Sequence, residues 1–171
     1  MPNFLQNALG ALQRTGQAKM NPRDAVHGAS GDMYYTVEGI RRRFGNLKNF
    51  EAKDTINSEK LGILGTVKKG VKQTTIEGTW SATCYMNQSD WRDVMAIFRA
   101  TGYMPEVSFY VVHDDPTSAA GRSATMYTGV TIDEAVIDRL DVDDAVLEQD
   151  ISGSYEDFIP MERHSSIPGM I

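Results

Sequence analysis

From Thr74 to Met86 the chain alternates apolar and polar residues for thirteen positions without interruption, and this run limits the possible folds more than any other feature. Thr74, Ile76, Gly78, Trp80, Ala82, Cys84 and Met86 fall on one face. Thr75, Glu77, Thr79, Ser81, Thr83 and Tyr85 fall on the other, as the two-residue period of a strand requires. Ordinary strands run about 5 to 6 residues. A strand twice that length, with one dry face and one hydroxyl-rich face, fits the wall of a large barrel better than a small closed core.

The remaining elements follow from periodicity and turn chemistry. Phe4, Leu5, Ala8, Leu9 and Leu12 stand at helical spacing, which predicts a short amphipathic helix in an N-terminal arm spanning 1–30. Met33 to Val37 reads as a strand, and Arg41 to about Asn57 as a second one with Gly45 marking a bulge. Residues 58–72, SEKLGILGTVKKGVK, are expected to form a long loop or hairpin. Ser89 reads as an N-cap, Trp91, Val94, Met95 and Phe98 form one apolar stripe, and Gly102 is a stop, so a helix is expected over 90–101, packed on a sheet. Further strands are expected at Glu106–Asp114, Ser123–Ile137 and Ala145–Tyr155, the last with Leu147, Ile151 and Tyr155 on its dry face. Pro160 onward reads as a tail without periodicity. The fold class is mainly β (α+β): a sandwich or barrel wall of long antiparallel strands with one packed helix.

The net charge of −6 conceals a gradient. Residues 1–80 hold 12 Lys and Arg against 7 Asp and Glu, whereas residues 131–171 hold 2 against 11. Two readings stand: a solvated surface of mixed sign, or head-to-tail association in which a basic patch meets an acidic patch on the next copy. A basic nucleic-acid groove is disfavoured, because no aromatic-basic motif accompanies the modest basic excess.

Chemistry for an enzyme is sparse. His27, His113 and His164 are scattered, and Asp114-Asp115 beside His113 precedes Pro116, where Asp suits a turn. The run from Asp141 to Ser152 fails as a calcium loop, with Ala145, Val146 and Ser152 at required positions. No GxSxG, Walker or dinucleotide motif occurs, so no enzyme and no cofactor is expected. Cys84, the single cysteine, reads as a buried small hydrophobe. No run of 18 apolar residues and no secretory n- and h-region are found, so a cytoplasm-like compartment is expected.

The segment VKQTTIEGTWSATCYMNQSDW, the helix to Gly102 and the PEVSFYVVHDD strand resemble the tail tube protein of contractile-tailed (myovirus-type) phages, of the PBSX-prophage-like kind. Gly121-Arg122, the strand beginning TMYTGVTIDEAV and the closing YEDF at Tyr155 to Phe158 follow in the same order. The resemblance covers about Gly31 to Pro160, giving an arm (1–30), a tail-tube domain (31–160) and a C-terminal tail (161–171). The chain departs from the usual shorter form in the thirty residues before Gly31.

The resemblance implies a homohexameric ring whose subunits complete one large β-barrel. Rings would stack into a hollow tube inside a sheath, with tape measure protein and then DNA in the lumen. Baseplate and tail terminator would hold the ends. The virion tail would be the location, after assembly in the host cytoplasm. Thr75, Glu77, Thr79, Ser81, Thr83, Glu148, Asp150, Ser152 and Ser154 would line the channel, and an acidic, hydroxylated lumen would repel phosphate. Lys60, Lys68, Lys69 and Lys72 would meet Asp141, Asp143 and Asp144 of the neighbouring ring. The inner tube of a bacteriocin or injection system is the alternative, and a monomeric ligand-binding β-barrel the second.

Overall fold

The computed structural model describes residues 21–143 and 145–165, and the expected helix at Phe4 to Leu12 lies outside them. Two antiparallel sheets pack face to face. The first has five strands in the order β2-β1-β5-β6-β9: β1 Gly31–Val37, β2 Ile40–Arg43, β5 Val107–His113, β6 Ser123–Val130 and β9 Asp157–Glu162. The second has four in the order β3-β4-β8-β7: β3 Leu47–Leu61, β4 Gly70–Tyr85, β8 Glu148–Tyr155 and β7 Glu134–Ala135. One α-helix, α1, spans Asp90–Thr101.

Aromatic residues fill the space between the sheets. Trp80 of β4 meets Phe109 of β5 edge to face at 4.7 Å, Phe50 of β3 meets Phe109 at 6.0 Å, and Tyr127 of β6 meets Tyr155 of β8 at 5.1 Å. Such tilted pairs add about 0.5–1.5 kcal/mol each beyond their burial. Trp80, Ala82, Cys84 and Ile151 are buried, so the dry face read from the sequence is dry over this half of β4.

The expected strand at Arg41 to Asn57 is two strands. Phe44 leaves the first sheet to fill the core, being 3% exposed, and a turn at Gly45 and Asn46 delivers the chain to the second sheet. Ser123 to Ile137 likewise breaks after Val130, where Ile132 is buried as the chain crosses between sheets. Ala145 to Leu147 precede β8 rather than belonging to it, and the expected tail contains half of β9, which pairs with β6. Pro160 hides that strand from a periodicity reading, yet Pro is tolerated on an edge strand such as this. The expected loop at 58–72 narrows to 62–69, because β3 and β4 pair as far as Leu61 and Gly70.

Helix α1 docks through its first turns. Trp91 and Val94 are buried and Met95 packs against the core, but Phe98, expected to join them, is 44% exposed. The reason is the position of its aromatic bed: Tyr35, Phe44 and Phe109 surround Trp91, and the last turn runs beyond them. Gly102 closes the helix with a left-handed φ of 72° and donates its N–H to the Phe98 carbonyl at 2.7 Å. Ser89 does not cap with its side chain. A polar tether fixes the start instead: Asp90 accepts from the Tyr35 hydroxyl and, at 2.7 Å, from Arg42. Burial pushes the Asp90 carboxyl up, but the bonds from Tyr35 and Arg42 outweigh it and leave its pKa below the ordinary value. The Tyr35 phenol is pushed up to about 12, by burial first and then by Asp90.

Where the chain crosses from β6 to β7, Trp80 Nε1 donates to the Thr131 carbonyl at 3.0 Å. A Cβ at Gly153 would lie 1.9 Å from that same oxygen, so only glycine lets the two segments approach. Gly153→Ala is therefore expected to destabilise the subunit by about 1–3 kcal/mol, read as a lower denaturant midpoint at unchanged slope. The Asp90 tether contributes stability above the ordinary carboxylate pKa of about 4 and loses it as pH falls through the lowered folded value. Thermal melting of Asp90→Asn should show a smaller decline than the parent chain between neutral and acid pH.

Candidate channel and assembly surfaces

Directly paired residues of neighbouring strands share a face, so the register assembles the expected channel residues. Thr79 stands opposite Ser154, Ser81 opposite Ser152, Thr83 opposite Asp150 and Tyr85 opposite Glu148. On the other side of β4, Thr75, Glu77, Thr79, Ser81 and Thr83 stand opposite Asn57, Thr55, Lys53, Glu51 and Asn49. Thr75, Glu77, Thr79, Ser81, Thr83, Glu148, Asp150, Ser152 and Ser154 thus belong to one polar face of the four-stranded sheet. Glu134, opposite Ser152, extends it.

Its side chains are bonded to one another. Thr83 donates to Asp150 at 2.8 Å, Ser154 to Asp133 at 2.7 Å, and Asn57 to Glu77 at 2.9 Å. Lys48 reaches Glu148 at 2.6 Å, and that hydrogen bond, followed by the charge of Glu148, raises the ammonium pKa. Acids outnumber bases: Glu51, Glu77, Asp133, Glu134, Glu148 and Asp150 face Lys48 and Lys53. The residues contributed by β3 escaped the sequence reading, because that strand was expected to start earlier and its alternation is broken by a register shift at Lys48.

The face continues past the sheet onto a two-stranded ribbon. β8 accompanies β4 only from Tyr85 to Gly78, so residues 70–77 pair with β3 alone. The ribbon projects on the order of 25 Å at a strand rise of about 3.3 Å per residue. Ile56 and Ile76 face each other across it and are 52% and 65% exposed, although Ile76 continues the row that is buried at Trp80. The alternation itself is interrupted in pairing: Asn57 opposes Thr75 but Ser58 opposes Gln73, leaving Thr74 as the extra residue of a bulge. Val71, opposite Lys60, is thereby turned onto the face of Ile56 and Ile76.

At the ribbon tip, Leu64 and Val67 are fully exposed among Lys60, Lys68, Lys69 and Lys72. The β7–β8 connection, 136–147, has the opposite charge and the same apolar exposure: Leu140 and Val142 stand out beside Asp141 and Asp143. Asp144 lies outside the described residues. This connection enters β8 beside Tyr85, whereas the tip precedes Gly70, so the two surfaces sit at opposite ends of the 16-residue β4. That is a separation on the order of 50 Å along the strand. The lysines and aspartates expected to pair are therefore apart within one subunit. The sequence shows the apolar cluster of Leu61, Ile63 and Leu64 in the first segment, but Val67, Leu140 and Val142 carry no periodicity that marks them as exposed.

Asp115 and Cys84, two of the residues considered for catalysis or metal, have structural work. Asp115 accepts from the His27 amide at 2.8 Å and from the Thr117 amide and hydroxyl at 2.9 and 2.6 Å. Those bonds, the Thr117 hydroxyl first, hold its carboxyl below the ordinary range. Cys84 is fully buried, and burial followed by the Asp150 charge pushes its thiol up to about 11. Among the described residues no cluster of three or more His, Cys, Asp or Glu is placed to hold a metal, and no helix is long and apolar enough to cross a membrane.

A family model described as phage tail tube protein matches residues 18–162. Two proteins of Bacillus subtilis strain 168 are similar in sequence. The phage-like element PBSX protein XkdM is 29% identical over 146 residues, 85% of this chain and 97% of that protein. The protein YqbM is 29% identical over 139 residues, 81% and 92% of the two chains. Solved structures share the fold at low identity. A chain of the anti-feeding prophage baseplate aligns with a TM-score of 0.61 and 10% identity over 84% of this chain and 98% of its own. The SPP1 tail tube gives 0.59 and 10% over 85% and 84%. A chain of an extracellular contractile injection system, in the PVC sheath-tube complex, gives 0.54 and 6% over 88% and 97%.

An isolated two-stranded ribbon is marginal in water, and its backbone bonds are exposed to exchange. Amides of 55–61 and 70–77 are expected to exchange much faster than those of Gly78 to Tyr85 in the dispersed subunit, and to become protected on association. Equal protection of both halves of β4 in the dispersed subunit would contradict this.

Proposed function

Because this chain belongs to the phage tail tube protein family, and is thus a structural component of the virion tail and not an enzyme, we propose that six copies close into a ring and that rings stack into a conduit with the acidic sheet face lining its lumen. The observation that carries the reading is the four-stranded sheet itself. It has a polar, net acidic face, an aromatic core behind it, and two open edges, β3 and β7. Pairing of the β3 edge of one copy with the β7 edge of the next is a heterologous contact, which closes into a ring when the rotation allows. Closure removes both edges.

The lumen chemistry suits passage. Basic surfaces hold nucleic acid by releasing the counterions of its phosphates. A face carrying Glu77, Glu148 and Asp150 among Thr79, Ser81, Thr83, Ser152 and Ser154 offers no such gain, so DNA slides rather than sticks. The tape measure protein would occupy the same channel earlier, the sheath would lie outside, and baseplate and terminator would sit at the ends. The described neighbours from a baseplate and a sheath-tube complex support these partners by fold.

Stacking joins the two ends of β4. The basic tip of one ring meets the acidic connection of the next, and the magnitudes assign the roles. Burying Leu64 or Val67 stabilises by about 1.5–3 kcal/mol each, whereas an exposed ion pair contributes roughly 0–1 kcal/mol. Apolar contact holds the rings, and Lys60, Lys68, Lys69 and Lys72 facing Asp141, Asp143 and Asp144 select the partner and its orientation. Repetition around a ring multiplies a weak contact.

The inner tube of an injection system that carries no DNA is the second reading, favoured by the fold shared with the anti-feeding prophage and PVC chains. A monomeric ligand-binding barrel lacks an interior, since Trp80, Phe109, Phe50 and Tyr127 occupy it. Negative-stain electron microscopy of the concentrated protein tests the proposal: hollow tubes or six-membered rings are expected. Lys68→Glu with Lys69→Glu should leave the subunit folded, as both side chains are exposed, and abolish tube growth. Normal tubes from that double variant would remove the ionic selection of partners.

A further inference from the structure

The core of the sandwich is unfinished at the base of the ribbon. A groove of about 660 Å³ opens there between the ribbon and the β8–β9 corner. Ile76 and Phe158 give it apolar walls and are 65% and 42% exposed, while Tyr155 lies across its floor with its hydroxyl bonded to Asp54. Gly78 makes that floor possible, since a Cβ there would stand 2.6 Å from the Tyr155 ring. Asp54, Glu77, Glu156 and Asp157 line it, with no Lys or Arg among the lining residues. An occupant must therefore be apolar on one side and basic on the other.

The first 23 residues of the chain have that composition. They contain Arg14, Lys19 and Arg23 and no Asp or Glu, and Phe4, Leu5, Leu9 and Leu12 recur at helical spacing. They also precede most of the family match, which begins at residue 18. We propose that residues 1–20 of one copy dock in this acidic, apolar groove of the adjoining copy in the stack, tying successive rings together. The inference rests on the stacked-tube reading above.

Position supports docking between copies. The segment after residue 20 is pinned to the β5–β6 loop, where Ser118 donates to the Asp24 carbonyl at 2.8 Å and Asp115 accepts from His27. That loop feeds the start of β6, whereas the groove borders the end of β6, where Tyr127 and Thr128 pair with Phe158 and Asp157. Gly28 and Ala29 also line a cleft with Lys48 and Asn49 at the start of β3, the end of the second sheet that carries the acidic connection. The arm therefore leaves from the acidic end of a subunit, and the groove lies toward the ribbon end. Head-to-tail stacking brings these two ends together in the same sense as it joins the lysine tip to Asp141 and Asp143.

The test uses two full-length variants, Leu9→Cys and Phe158→Cys, mixed, concentrated and oxidised; the native Cys84 is buried and stays out of the reaction. A disulfide between positions 9 and 158 of different chains, mapped by mass spectrometry, is the expected result. Its absence in material that forms tubes, or a disulfide from Val67→Cys to Phe158→Cys in its place, would overturn the proposal. So would a disulfide within one chain in the doubly substituted Leu9→Cys, Phe158→Cys protein. In parallel, a labelled peptide of residues 1–20 is titrated onto the dispersed full-length chain. Saturable binding is expected, weakened at least tenfold by Glu156→Lys with Asp157→Lys; no binding, or binding indifferent to that change, overturns the proposal. If neither tubes nor rings form, the stacked-tube reading fails, while the peptide titration still decides whether the groove takes the arm.

Discussion

The structure depends on β4 having two different environments along one strand. From Gly78 to Tyr85 it is sandwiched between β3 and β8, with Trp80, Ala82 and Cys84 driven into the aromatic core. From Gly70 to Glu77 it has β3 alone, and the same row of side chains is left in water at Ile76. The first half makes a stable domain. The second half makes a ribbon whose apolar residues Ile56, Ile76 and Val71 stay exposed among the described residues, and exposed apolar surface of this kind marks an interaction site.

The close packing of the first half is secured at a single crossing. The Trp80 indole bonds the Thr131 carbonyl, and Gly153 leaves room for that carbonyl to approach. This contact joins the β6–β7 crossover to β4 and β8, so the polar face inherits its rigidity from the core behind it. Its side chains then pair laterally, as Thr83 does with Asp150 and Ser154 with Asp133. Under the proposed lumen role, a face whose side chains pair with one another in this way has less to offer a passing polymer.

Charge and exposure tell the same story at the two ends of β4. Lysines surround Leu64 and Val67 at one end, and aspartates surround Leu140 and Val142 at the other. Separation on the order of 50 Å prevents the two from meeting in one molecule; under the proposed stacking, the charge gradient would give the tube a direction of growth. The polar face needs the sheet to be held open and continuous; the ends need the sheet to be long. One strand meets both requirements.

Local pattern was enough for the elements with uninterrupted periodicity. The helix over 90–101 and the strands at Met33, Val107 and Trp80 are legible because each carries an apolar row at an unbroken period, even where part of that row, Ile76 and Phe98, stays exposed. The sequence by itself determined the alternation, the charge gradient and the family to which the chain belongs. Tertiary structure decided where strands break between sheets, since Phe44 and Ile132 read as strand residues yet serve as plugs where the chain changes layers. It decided that residues 157–162 form an edge strand despite Pro160, through pairing with β6. It also decided which apolar residues stay outside. Ile76 and Trp80 are equivalent in alternation, and Phe98 continues the stripe of Trp91, but burial depends on what another part of the chain places opposite. That is a long-range property, and no local periodicity encodes it.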